Sequence, residues 1–390
     1  MSLELLQAYQ QAAQASIDQA QCLPLAAYHD QHVYDEEAQH IFHNDWVFIC
    51  AEAKLQNPGD YLALDLAGEP IAIIRGQDAQ LRALSNICRH RGTPLLDQGY
   101  GRIEKNIVCP YHAWTFGDNG QFKGAPMTGE VKIDKAKHCL PQFALECWNG
   151  LVFINLSEQQ GEAQSRAFRE RIKGLDDYLG HFELQRFNQC YQLPTEHWHA
   201  NWKLAVENGI ESYHLFKVHK ETLETQTPTK QAYYVAGSSE WTLTGGKMKD
   251  NRGKIMKWLS GSYPEVYDHY LLLFLPPSFV GIITYEGFDW IQILPVDGEH
   301  CQVIPGGLSE HKITDFSSEE FQFTNAFLTE DKVICERVQR GIHARKSQGG
   351  KLVSMEKILV DFHQYLASRL FGTQPDAFEE SEHAKLFYNK

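Results

Sequence analysis

Cys88 and His90 lie two residues apart in Asn86-Ile87-Cys88-Arg89-His90-Arg91-Gly92, and Cys109 and His112 lie three apart in Cys109-Pro110-Tyr111-His112-Ala113-Trp114. Each stretch offers one thiol and one imidazole, and eighteen residues separate His90 from Cys109. An unsymmetrical [2Fe-2S] cluster needs two thiolates on one iron and two imidazoles on the other. Two loop tips carrying one ligand of each kind can straddle such a cluster from one side. The thiolates would hold the inner iron, and neutral imidazoles would cap the outer iron near solvent. A structural zinc site is the rival reading, but it usually pairs Cys with Cys and His with His along the chain. The mixed pairing, with Gly92 and Pro110 suited to tight loop tips, favours the cluster.

A second group of ligand-type residues lies in Asn201-Trp202-Lys203, Glu207-Asn208 and Glu211-Ser212-Tyr213-His214, ending at His219. Two histidines and several acids in a helical stretch can be an exposed face and nothing more. They can also supply the two imidazoles of a two-His, one-carboxylate iron site with positions open for O2 and substrate. A cluster with one-electron chemistry needs an acceptor, and the chain is long enough to hold one. His214 and His219 are five residues apart, so a regular helix would turn them off one face. The helix is therefore expected to bulge or end between them.

Taken together, Cys-x-His-Arg-Gly, Cys-Pro-Tyr-His-Ala-Trp and Glu-Asn-x-x-Glu-x-Tyr-His-x4-His resemble the large (alpha) subunit of Rieske non-heme iron oxygenases, from about residue 35 to about residue 370. Respiratory Rieske proteins carry an extra cysteine in each loop, and this chain has no such pair, which favours the oxygenase branch. The resemblance implies a [2Fe-2S] cluster on Cys88, His90, Cys109 and His112, and a mononuclear Fe(II) on His214 and His219. It implies Glu211 between the two metal centres, with Asn208 beside it in the catalytic machinery. The third iron ligand maps to Asp331 in Glu330-Asp331…Gln339-Arg340-Gly341, with Glu330 and Asp361 as fallbacks. Asp331 could instead be a first-turn acid of a helix. His363 is expected to be packed rather than coordinating.

The activity implied is that of an oxygenase component, a monooxygenase or a dioxygenase. It would use O2 and electrons from NAD(P)H, delivered through a reductase or ferredoxin, to hydroxylate or demethylate a small organic substrate. The resemblance also implies a homotrimer in which the cluster of one chain faces the mononuclear iron of the next. Glutamate at 211, where ring dioxygenases usually have aspartate, resembles the quaternary-ammonium branch of carnitine, choline and betaine oxygenases. The cysteines seen around this site in several members of that branch are absent. A quaternary or N-methyl amine is thus the expected substrate. An aromatic-ring oxygenase and a non-catalytic Rieske electron-transfer or ligand-binding protein are the alternatives.

The elements that must position these residues follow from composition and texture. At 390 residues, with 43% hydrophobic and 22% charged content, the chain reads as a globular protein of two domains. A formal charge of −14 argues against nucleic acid or an anionic membrane as the main partner. Scattered single cysteines and the lack of a signal-peptide pattern or a membrane-length apolar run lead to a cytoplasmic expectation. Helices are expected over 2–20 and 35–46, then short β runs and turns from Val47 to Asn155, then a polar segment over 157–174, a linker running into a helix. Strand-like runs follow at 188–193, 270–274, 279–284, 290–294 and 301–305, with helical patterns near 201–220, 317–343 and 355–370. The fold class is α+β, with N-terminal helices over 1–45 packed on the catalytic domain and an antiparallel β Rieske domain over 46–156. A catalytic α+β domain, helix-grip (START-like) by resemblance, covers 157–390. Arg89, Arg91, Arg102 and Lys105 form a basic patch near the cluster, either a docking face for an acidic reductase or solvated loop charge. Of Tyr233, Tyr234, Trp241, Trp258, Tyr285, Phe288 and Trp290, two or three are expected to line a pocket suited to cations or planar rings.

Overall fold

Asn149-Gly150 sits between two apolar runs, and both residues take positive φ (46° and 77°), the backbone of a tight hairpin turn. That hairpin joins strands Gln142–Trp148 and Leu151–Asn155 and lies within a seven-stranded antiparallel sheet. In spatial order the sheet runs Val47–Ala51, Leu151–Asn155, Gln142–Trp148, Leu81–Ser85, Glu69–Arg75, Asp60–Leu66 and Gly99–Arg102. A smaller sheet of Asn106–Val108, Thr115–Gly117 and Phe122–Gly124 accompanies it. The apolar run Ile71-Ala72-Ile73-Ile74 is buried at every position, because both faces of its strand are covered. Phe116, Leu84 and Ile74 form the floor on which the sulfur-bearing loops rest.

These strands belong to the compact unit Phe42–Glu170 in the computed structural model, which describes residues 3–157, 162–249, 264–374 and 377–388. A second unit combines Met1–Ile41 with Arg171–Lys390. Its nine-stranded antiparallel sheet follows the path Gln189–Gln192, Cys301–Ser309, Phe288–Pro295, Phe279–Ile283, His269–Leu275, Thr242–Lys247, Ala232–Gly237 and Glu379–Glu380. Glu196–Trp198 also pairs with Cys301–Ser309. Helices Trp202–Ile210, Glu319–Ile342 and Lys357–Phe371 gather about this sheet, giving the α+β arrangement expected.

Local differences from the sequence reading have physical causes. The first helix ends at Ala13, short of residue 20. The second starts at Gln31, where the Asp30 side chain accepts the N–H groups of His32 and Val33 and so caps it. Strands Ala232–Gly237 and Thr242–Lys247 were not expected, since Gly245-Gly246 weakens any strand pattern. A Cβ on Gly246 would lie 2.7 Å from the Tyr270 ring, so the missing side chain is what admits that ring.

Around the start of helix Trp202–Ile210 lies a buried ion pair. Lys203 Nζ is 2.8 Å from Glu37 Oε1, and both side chains are fully buried. Trp202 Nε1 and Tyr9 Oη donate to the same carboxylate at 2.8 and 3.1 Å. Burial pushes the Lys203 ammonium down, and Glu37 opposes that. Lys203→Met is expected to cost about 3–5 kcal/mol of stability, because it strands the Glu37 charge. The check is the denaturant midpoint at unchanged slope. Adding Glu37→Leu should recover part of the loss, with Trp202 and Tyr9 still short of an acceptor.

Candidate functional site

The two sulfur-bearing loops share one hydrogen-bond frame. Cys88 N–H donates to Thr93 O at 2.8 Å and Gly92 N–H to Cys88 O at 3.0 Å. Cys109 N–H donates to Trp114 O at 2.8 Å and Ala113 N–H to Cys109 O at 3.0 Å. The fourth residue after each cysteine takes positive φ, Gly92 at 74° and Ala113 at 52°. Alanine in that region carries a steric cost that only a demanding loop sustains. The repeat hides in the sequence because the histidine falls one position later in the second loop. Asn86 closes the base of the first loop by bonding both the N–H and the C=O of Leu96 at 2.9 Å.

Backbone N–H groups of His90 and Arg91 aim at the Cys88 sulfur, and those of Tyr111 and His112 at the Cys109 sulfur. Such paired N–H groups favour anionic sulfur. Burial pushes both thiols up and the N–H groups pull them back, with the net result lowered for Cys109 and raised for Cys88. The two thiols are buried while His90 is exposed. The rings of His90 and His112 stand 4.8 Å apart, and His90 stacks on Trp114. Partial desolvation by its neighbours, then the proximity of His112 and Arg91, lowers the basicity of His90 and so favours the neutral form that ligates metals. His112 Nδ1 is buried without a hydrogen-bond partner, a costly state unless a metal takes the lone pair. This donor set fits a [2Fe-2S] cluster.

In the second unit, Asn201 caps helix Trp202–Ile210 by accepting the Lys203 N–H, and the helix stops before Glu211, which is extended. A four-residue helix, Leu215–Val218, restarts after His214 and ends at His219. The break therefore precedes both histidines instead of falling between them, and the short turn brings their ring centroids to 5.0 Å. Asp331 lies halfway along Glu319–Ile342, so it is not a first-turn acid.

Ligand-type atoms of His214, His219 and Asp331 all lie within 4.8 Å of one another. His219 Nε2 is 2.8 Å and His214 Nε2 is 3.5 Å from Asp331 Oδ1. The outer nitrogens face other carboxylates: His214 Nδ1 to Glu211 Oε1 at 2.5 Å, and His219 Nδ1 to Glu330 Oε2 at 2.7 Å. An Nδ1–H donated outward leaves both Nε2 lone pairs converging on Asp331, the orientation a shared cation requires. Asn208 Nδ2 reaches Asp331 Oδ1 at 3.0 Å and His214 Nε2 at 3.1 Å. The Cys335 thiol donates to Asn208 Oδ1 at 3.0 Å and so sets which way the amide points.

Burial alone would lower both imidazoles, yet Asp331 and Glu211 push His214 up to about 10, and Asp331 with Glu330 raises His219. The carboxylates thus concentrate negative charge at this point, which a divalent cation in place of the extra protons would neutralise. The donor set fits a mononuclear iron site. Glu330 stands on the far side of His219 and also takes the Thr222 hydroxyl at 2.6 Å. Asp361 lies elsewhere, bonded by Tyr234, Thr242 and Lys357. His363 packs against Glu207 at 2.8 Å.

A cavity of about 730 Å³ opens onto His214, His219 and Asp331. Of the aromatic residues singled out in the sequence, Tyr285 and Trp290 line it. Tyr233 instead bonds His269, Tyr234 bonds Asp361, and Trp241 and Phe288 are buried away from the cavity. Trp258 lies outside the described residues. Tyr191, Tyr267, Tyr270, Phe323 and Phe327 also line the cavity and were missed. Phe323, Phe327 and Asp331 recur every four residues on one helix face, so placing Asp331 would have found two of them.

Two family models match the chain: the Rieske [2Fe-2S] domain over residues 45–143, and the ring hydroxylating alpha subunit (catalytic domain) over 186–372. The chain is 30% identical over 362 residues to the carnitine monooxygenase oxygenase subunit of Acinetobacter pittii, covering 88% of this chain and 91% of that one. It is 32% identical over 203 residues to the glycine betaine monooxygenase oxygenase subunit of Chromohalobacter salexigens, covering 52% of this chain and 44% of the relative. Among solved structures, a quaternary ammonium Rieske monooxygenase superposes with a TM-score of 0.74 at 26% identity, covering 90% of this chain and 95% of the other. That structure is described as informing carnitine oxidation by gut microbiota and inter-subunit electron transfer.

Proposed function

We propose, from the premise that this chain belongs to the Rieske non-heme iron oxygenases, that its oxygenase activity is directed at a small quaternary ammonium or N-methyl amine. The bound cluster supplies one-electron transfer, and the mononuclear iron supplies O2 activation. Cys88, His90, Cys109 and His112 would hold the first, and His214, His219 and Asp331 the second. One oxygen atom enters a C–H bond beside nitrogen and the other leaves as water, with two electrons and two protons consumed.

The observation that carries the substrate class is the wall of the cavity above His214 and Asp331. Tyr191, Tyr270, Tyr285 and Trp290 present aromatic rings there, and Asp268, Glu286 and Asp289 add acidic side chains. Aromatic faces attract alkylammonium groups, more strongly where water is excluded. The carboxylates attract a cationic end and reinforce that choice, and Lys249 on the same lining adds one positive charge. The relatives named for carnitine and glycine betaine point to the same class. Reduced holoenzyme should couple O2 uptake to oxidation of quaternary ammonium compounds and not of their neutral tert-butyl isosteres. Turnover of planar aromatics alone would return the ring-oxygenase reading. Absence of O2 uptake with every substrate would favour a non-catalytic carrier.

Electrons come from a separate reductase in this reading, and the chain acts as a homotrimer. Arg89, Arg91, Arg102 and Lys105 are all exposed around the cluster loops, which also expose Tyr111 and Val108. Basic charge with apolar contacts suits docking of an acidic electron donor. Arg89→Glu with Arg102→Glu should slow cluster reduction about tenfold at low ionic strength, and the gap should close at high salt. Stopped-flow reduction by the partner reductase checks this. Among the described residues no helix is long and apolar enough to cross a membrane.

A further inference from the structure

His29, Glu299 and His343 form a second group whose ligand-type atoms lie within 4.8 Å of one another, sharing no residue with the His214, His219 and Asp331 group. We propose that these three residues bind one divalent cation of the zinc(II) class and clamp the helix that leads into the iron site.

The donor set argues for the metal class. Two imidazoles and one carboxylate suit zinc or a neighbouring late transition metal, with water in the fourth position, and suit magnesium or calcium poorly. The geometry is already close. His343 Nε2 is 3.2 Å from Glu299 Oε1, and the rings of His29 and His343 stand 4.5 Å apart. The side chains of His343 and Glu299 are 45% and 40% exposed, so an ion can arrive from solvent. His343 directly follows the 24-residue helix Glu319–Ile342, whose carbonyl end favours positive charge.

The three ligands come from three segments: the end of the turn Leu25–Tyr28, the connection between strands Phe288–Pro295 and Cys301–Ser309, and the end of the long helix. Those same segments meet at Asn201, the buried cap of helix Trp202–Ile210. Asn201 Nδ2 donates to Gly298 O at 2.7 Å, beside Glu299. Asn201 N–H donates to Gln339 Oε1 at 2.8 Å, one turn before His343. Gln339 Nε2 donates to Tyr28 O at 3.1 Å, beside His29. A cation joining the three ligands would lock the triangle that holds this cap, and the capped helix carries Asn208 and runs directly into Glu211. The ion's role is structural, and the reading does not depend on which substrate the cavity takes.

The test is equilibrium dialysis of the iron-loaded holoenzyme against micromolar zinc chloride, with zinc, iron and acid-labile sulfide counted per chain. Wild type should gain one zinc with iron and sulfide unchanged, and its thermal midpoint should rise. His343→Gln removes an exposed side chain and should bind zinc at least about tenfold more weakly without that rise. His29→Gln should behave alike. No zinc uptake by wild type, equal uptake by wild type and both variants, or zinc gained only as iron is lost would each overturn the site.

Discussion

Asp331→Ala is expected to abolish O2-dependent turnover and to leave the Rieske absorption spectrum intact. Among the described residues, Asp331 Oδ1 is the one carboxylate oxygen that faces both His214 Nε2 and His219 Nε2, and Asn208 donates to it as well. Removing it leaves two imidazoles, too few to hold an iron with open positions. Residues that only orient a metal ligand already cost about 10–100-fold when lost, so loss of a ligand should exceed about 100-fold. The four cluster residues sit in the unit Phe42–Glu170 and Asp331 in the other, so the cluster keeps its surroundings. Iron should fall from three to two per chain with sulfide constant at two. Retained iron and turnover would move the ligand to Glu330, which now faces the opposite nitrogen of His219. Glu330→Gln should accordingly be milder than Asp331→Ala.

How far such a site can be read from sequence depends on how local its constraints are. The cluster ligands sit in two short loops, and mixed Cys/His pairs at two- and three-residue spacing state their chemistry directly. The long strands and the helix Glu319–Ile342 were legible from apolar runs and 3.6-residue periodicity. Asp331 needed more, because 112 positions separate it from His219 and no local pattern marks it apart from Glu330. The helix break was expected from the five-residue spacing of the histidines, but its position was not. A helix ends where its next residue finds better partners, and Glu211 finds them in the backbone N–H groups of Tyr213 and His214. The cavity wall was least legible. Tyr233 and Tyr285 look alike in sequence, and only packing decides that one bonds His269 while the other lines the cavity.

Glu211→Gln is expected to lower turnover by about 10–100-fold while iron and sulfide contents stay at wild-type levels. One Glu211 oxygen accepts the N–H groups of Tyr213 and His214, and the other accepts His214 Nδ1–H at 2.5 Å. A glutamine has one accepting oxygen, so it can serve the imidazole or the backbone and not both. Facing its NH2 to the backbone leaves two N–H donors without an acceptor, at about 1–3 kcal/mol each where water cannot reach. Facing its NH2 to the imidazole sets a donor against Nδ1–H and turns the ring off Asp331. Either way His214 loses the negative partner that raises its basicity and holds its Nε2 toward the iron position. Glu211→Asp keeps the charge and shortens the reach, so it should fall between wild type and Gln. Steady-state rate alone would not separate ring orientation from electron entry through the same imidazole. Pre-reduced protein mixed with substrate and O2 does separate them, by the decay of the reduced-cluster absorption. Slow decay at full iron occupancy places Glu211 on the route by which electrons reach the mononuclear iron. Decay at the wild-type rate with weakened iron binding confines it to holding the ring.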